Sequence, residues 1–239
     1  MKKVIMFSAA CLTLFTGATL SVLAFGNNKI SYEFSPDGRF VRANSSAEII
    51  PAAEPDAKDN VKTKKIFTNF SRYKLATYFS IWGNTIAQGG QNFPFQAWVG
   101  EAFTPTTDAT VTKIETSAGR QSSGSHGFEI SLYSDAAGVP GTVLQTVHVD
   151  NLPQYGQCCD VSTANFTTGV PVTAGTQYWV VVSTTSQDTD IYAWAFNSSN
   201  MSAQPAASWC KGASTYCGSN SGVWVPYSYV QLGFAVFGQ

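Results

Sequence analysis

Charge is what this 239-residue chain has least of. Asp, Glu, Lys and Arg make up 12% of it, about half of the roughly 25% usual for soluble domains. The 14 basic and 15 acidic residues leave a net charge of −1, which excludes the global basic footprint of a nucleic-acid binder. There are only two histidines, no Cys-x-x-Cys redox motif and no Gly-x-Ser-x-Gly nucleophile elbow. Those absences remove the commonest signatures of thiol and serine chemistry. Beyond the N-terminal leader, no segment has a helical hydrophobic period and no internal repeat stands out. Low charge does not mean disorder here, because 44% of the residues are hydrophobic and 13% aromatic.

The leader sets the compartment. Met1-Lys2-Lys3 is a short cationic start, followed by an uncharged, mostly apolar stretch from Val4 to Phe25. Val22 and Ala24 fill the two small-residue positions of a secretory cleavage site, so cleavage after Ala24 is expected. The same stretch is long enough to anchor the chain in a bilayer if it is kept. Cys11 lacks the aliphatic residue three positions earlier that a lipoprotein site requires. With the leader removed, no membrane span is expected, and the protein reads as secreted or held at the cell surface.

Export leaves four cysteines, Cys158, Cys159, Cys210 and Cys217, in an oxidising compartment. Cys210 and Cys217 bracket a short loop that a local disulfide closes easily, and this is the favoured pairing. Cys158 and Cys159 then form a vicinal disulfide or remain two thiols, while crossed pairing would staple distant loops. Adjacent cysteines fit a tetrahedral zinc site poorly.

Charge also divides the chain. Residues 25–75 hold nine basic and six acidic residues, whereas residues 76–239 hold three and nine. In the first part, Ile30, Tyr32 and Phe34 alternate with polar residues before a Pro36-Asp37-Gly38 turn, which predicts a small hairpin. Residues 43–63 have no periodicity and read as a linker. From Lys64 onward, short apolar runs alternate with turn residues, the pattern of an all-β domain. Strands are predicted at 65–70, 78–83, 96–103, 110–117, 127–134, 143–149, 160–168, 177–185, 190–196 and 229–237. Tyr178-Trp179-Val180-Val181-Val182 is apolar on both faces and predicts a central strand. The expected organisation is a signal peptide at 1–24, a flexible hairpin and linker at 25–63, and an antiparallel, jelly-roll-like β-sandwich at 64–239.

Several motifs carry a family resemblance. They are Glu101-Ala102-Phe103-Thr104-Pro105, Ser131-Leu132-Tyr133-Ser134-Asp135 with the following Ala136-Ala137-Gly138-Val139-Pro140-Gly141, Cys158-Cys159, and Val172-Thr173-Ala174-Gly175-Thr176-Gln177-Tyr178-Trp179. Together they resemble the choice-of-anchor domains of bacterial secreted proteins, over roughly residues 65–239. The resemblance implies a secreted β-sandwich and brings no catalytic residues with it. Such proteins often end in a sorting signal, and this sequence closes on Phe237-Gly238-Gln239 instead. Free secretion or attachment through the N-terminal segment is therefore expected.

Candidate chemistry is sparse. His126 lies in a Gly/Ser-rich loop and His148 in a strand, which is weak support for a triad. Glu101, Glu115 and Glu129 are the acids that paired-carboxylate glycoside hydrolysis would draw on. Asp188 and Asp190 supply too few oxygens to identify a calcium site. No cofactor, no metal and no catalytic residue is assigned, and the chain reads as a non-enzyme.

Aromatic residues are the remaining signal. Tyr192, Trp194 and Phe196 share one strand face, which serves either the core or a ligand. Trp209, Tyr216 and Trp224 sit among Ser, Gly and Asn in what reads as a loop insertion rigidified by Cys210–Cys217. Trp194, Trp209, Tyr216 and Trp224 are the candidate ligand-binding residues. The first expectation is a non-catalytic module binding an extracellular glycan or surface polymer. The second is a structural subunit of a matrix, surface layer or filament that binds copies of itself through Ile30–Phe34. An extracellular hydrolase is the third.

Overall fold

The computed structural model describes residues 30–34, 40–45, 63–70, 82–87, 95–121, 126–156, 161–184, 191–195, 204–212, 217–227 and 231–239. The leader, Cys158, Cys159, Asp188, Asp190 and Tyr216 lie outside them. Among the described residues fifteen strands follow in chain order: β1 (Ile30–Phe34), β2 (Phe40–Ser45), β3 (Lys64–Thr68), β4 (Trp82–Ala87), β5 (Phe95–Phe103), β6 (Ala109–Thr116), β7 (Ala118–Arg120), β8 (Phe128–Asp135), β9 (Pro140–Val149), β10 (Ser162–Val172), β11 (Tyr178–Ser183), β12 (Ile191–Ala195), β13 (Ala206–Gly212), β14 (Trp224–Tyr227) and β15 (Phe234–Gly238). All strand pairs are antiparallel.

Two sheets pack face to face, and the protein is an all-β sandwich. The larger sheet has 11 strands with a path β1-β2-β4-β5-β11-β8-β9, and the smaller runs β10-β6-β15-β3. The binary pattern explains the packing. On β8, Phe128, Ile130 and Leu132 face inward with Tyr178, Val180 and Val182 of β11. They meet Ile114, Phe234 and Val236 of the smaller sheet in one core, as alternation with period two requires.

The predicted central strand is β11, hydrogen-bonded to β5 on one edge and β8 on the other. All six of its residues are buried. Its outward residues, Trp179 and Val181, form a separate apolar cluster with Ala102, Tyr133 and Ala207. What covers that outer cluster is the turn between β8 and β9. Val139 packs on it, and Pro140 lies over Gly100, where an added Cβ would sit 3.1 Å from the Pro140 ring.

The predicted hairpin at the N-terminal end is β1–β2, with Phe34 opposite Val41. It extends the larger sheet, because β2 pairs with β4. The main departure lies near the C-terminal end. Trp209 and Trp224, expected in a loop insertion, stand on two paired strands, β13 and β14, and β13 in turn pairs along β5 from Phe95 to Glu101. β13 joins the sheet through β5, a partner distant in sequence, so its strand character is not written in its neighbours. The short β7 was likewise not expected.

Candidate functional site

The register of β5, β13 and β14 brings three tryptophans into one row. Trp209 stands directly opposite Trp98 on one side and opposite Trp224 on the other. Directly opposed residues in adjacent strands project from the same face. This is the outward face, because the alternate residues Val99 and Phe103 belong to the central core. All three indoles are half-buried. Trp98 and Trp209 stack with ring centroids 4.3 Å apart and planes 19° apart, so one face of each is covered by the other. Trp224 packs instead toward the Ala102–Trp179 cluster. The next row of the sheet is low, with Gly100 opposite Ala207 and Ala207 opposite Pro226.

The opposite face of β13 carries the bracing. Cys210 and Cys217 form a disulfide with Cα atoms 5.4 Å apart, and it packs with Phe95 and Ala97. The Gly222 N–H donates to the Cys210 carbonyl at 2.7 Å, tying the 217–223 segment back to β13. Val223, beside Trp224, is 52% exposed. Beside the tryptophan stack on the outward face stand Gln96 and Lys211, opposite each other in register.

Asp135 ties the covering turn down. Its Oδ1 accepts the Trp179 indole N–H at 2.8 Å and the Gln177 amide at 2.7 Å. Its Oδ2 accepts the Gly138 N–H at 3.1 Å. Burial pulls its pKa upward, but these bonds and the Ala137 N–H outweigh that and hold it below the usual value.

Two of the four expected ligand-binding residues, Trp209 and Trp224, are thus brought together, and the structure adds Trp98, which lies about a hundred residues away. Tyr216 lies outside the described residues. Trp194 is a correction. It is fully buried in the core, and its indole N–H donates to the Gly233 carbonyl at 2.9 Å, so it is a structural residue that no ligand reaches. Tyr192 on the same face is equally buried and donates to the Gly127 carbonyl.

The acids do not converge. Glu101 faces the core between Val180 and Ala206. Glu129 alternates with Phe128 and Ile130 and faces outward on the same sheet. Glu115 lies on the smaller sheet, where it pairs with Lys113 at 2.8 Å. A backbone layer separates each from the others. His148 pairs with Asp150 at 3.1 Å on the surface. Glu101 is fully buried, and neither carboxyl oxygen has a partner in hydrogen-bonding geometry among the described residues. Burial pushes its pKa well above the carboxylate range, offset only in part by the Leu232 N–H.

No curated protein matches the chain. The family model described as "Domain of unknown function (DUF4082)" matches residues 88–234, a span that contains all three tryptophans of the row and more than half of the sequence, and the chain belongs to that family.

Proposed function

We propose that this is a secreted, non-catalytic β-sandwich module that binds carbohydrate or another surface polymer through Trp98, Trp209 and Trp224. The observation that carries the reading is the row itself: three half-exposed indoles from three adjacent strands, on one face of a charge-poor sheet. Indoles in such settings supply large contact area with little conformational entropy to lose. Bracing by Cys210–Cys217 limits that loss further. Because Trp98 and Trp209 cover each other, the row offers single ring faces and edges. That geometry suits a chain gripped between side chains better than one lying across a continuous aromatic plane. The leader and the resemblance to choice-of-anchor domains support an extracellular setting.

The test is a pull-down on insoluble polysaccharides together with a glycan array, run on the wild type and on Trp209→Ala and Trp224→Ala. Binding that falls tenfold or more in either variant, with folding retained, supports the reading. No binding to any polymer, or variants that bind like the wild type, removes it.

A structural subunit is the second reading. It is favoured by β1, which ends the larger sheet among the described residues and pairs there with β2 alone, a strand edge of the kind that accepts another chain's strand. Deletion of residues 25–60 would then convert an assembly to monomers, measured by sedimentation. Monomers both with and without the segment would end this reading.

A further inference from the structure

We infer that the polymer is acidic: a polysaccharide whose sugar rings carry carboxylates, with Lys211 reading the charge beside the tryptophan stack. This rests on the binding-module reading and names its ligand class.

Residues 76–239 contain three cations, Lys113, Arg120 and Lys211. Lys113 is committed to Glu115 and to the Phe237 ring, whose centroid is 4.3 Å from its Nζ. Arg120 is half-buried. Lys211 alone is exposed, and it forms no ion pair among the described residues. Its position is what matters. It lies two residues beyond Trp209 on the same strand and the same face, about 7 Å along β13. It stands opposite Gln96, which is two residues from Trp98. The outward face therefore holds a four-residue patch with two stacked indoles at one end and an ammonium and an amide at the other. That is the spacing of a sugar ring held by its apolar surface while a ring substituent reaches the charge.

The nearest acid on β5 does not interfere, since Glu101 faces the core, and burial favours its neutral form. The six-charge acidic excess of residues 76–239 acts over distance and is screened within about 8 Å at physiological salt. A contact ammonium is screened far less, so local charge sets the preference.

The experiment compares polygalacturonate, its methyl ester and a neutral β-glucan by affinity electrophoresis, with the wild type, Lys211→Gln, Lys211→Arg and Trp209→Ala. The expected result is about fivefold tighter binding of polygalacturonate than of its ester, as one partly exposed ion pair gives. Lys211→Gln should erase that preference, Lys211→Arg keep it, and Trp209→Ala weaken both polymers. Equal binding of acid and ester, or a preference unchanged in Lys211→Gln, overturns the inference while leaving the module reading intact. Failure of all three polymers to bind overturns the inference, and the module reading falls with it when the polysaccharide pull-downs and the glycan array are empty as well. Lys211 is exposed, so its substitution does not threaten the fold.

Discussion

The Asp135 carboxylate accepts the Trp179 indole N–H at 2.8 Å, and so joins the turn between β8 and β9 to the strand beneath it. Trp179 belongs to the outer apolar cluster and not to the central core. The bond therefore holds a small second layer on a sheet face that would otherwise meet water.

Asp135→Ala removes an ionised acceptor serving Trp179, Gln177, Gly138 and Ala137 and should cost about 2 kcal/mol, measured as a shift in urea midpoint. Asp135→Asn keeps an acceptor oxygen for Trp179 and Gln177 and should cost less. Because the folded pKa is depressed, the stabilisation is complete above the ordinary value of 3.8 and is lost as pH falls through the folded value. The wild-type advantage over Asp135→Asn should accordingly shrink on acidification. A constant difference from neutral to strongly acidic pH would show that the charge plays no part.

Glu101 should act in the opposite direction. Its folded pKa is raised, so its contribution is greatest below the unfolded value of 4.5 and is lost as pH rises toward the folded value. Wild-type stability should fall by up to about 1.4 kcal/mol per pH unit on this account. Glu101→Gln should lack that slope. Parallel pH profiles of the two proteins in denaturant titrations would refute the assignment.

Trp194 and Trp209 should separate folding from recognition. Trp194→Phe leaves the Gly233 carbonyl without its indole donor and loses buried volume, at about 1–3 kcal/mol, while polymer binding stays unchanged. Trp209→Ala should do the reverse, with a small change in midpoint and a large loss of binding. Loss of binding in a folded Trp194→Phe protein would contradict the division.

Replacing Cys210 and Cys217 by serine should destabilise the protein by about 2 kcal/mol, the value for a short closed loop. Polymer binding should weaken in parallel, because β13 carries Trp209 on the face opposite the bridge. Calorimetry with and without reductant measures the first effect. Retention of full affinity in the reduced protein would show that the row does not depend on this brace.

Much of the sandwich was legible in the chain because period-two alternation is a local property. Phe128, Ile130 and Leu132 marked a strand with one apolar face, and the run from Tyr178 to Val182 marked one buried on both. The Pro36-Asp37-Gly38 turn marked the β1–β2 hairpin, and the spacing of Cys210 and Cys217 suited a local bridge. The strands holding the candidate site were not legible. Ala206–Gly212 is rich in small and polar residues and Trp224–Tyr227 is short and contains Pro226, and they are strands because β5 and each other complete their hydrogen bonding.

Sequence alone determined which residues of an alternating run share a face, where several of the turns fall, and that charge is scarce. Tertiary structure decided which face meets the core and which strands lie side by side. Trp194 and Trp209 both stand on strands, yet one fills the core and the other meets solvent. Trp98 joins Trp209 only through the register of β5 on β13. Alternation is written in neighbouring residues, whereas register is set by packing the whole sheet at once.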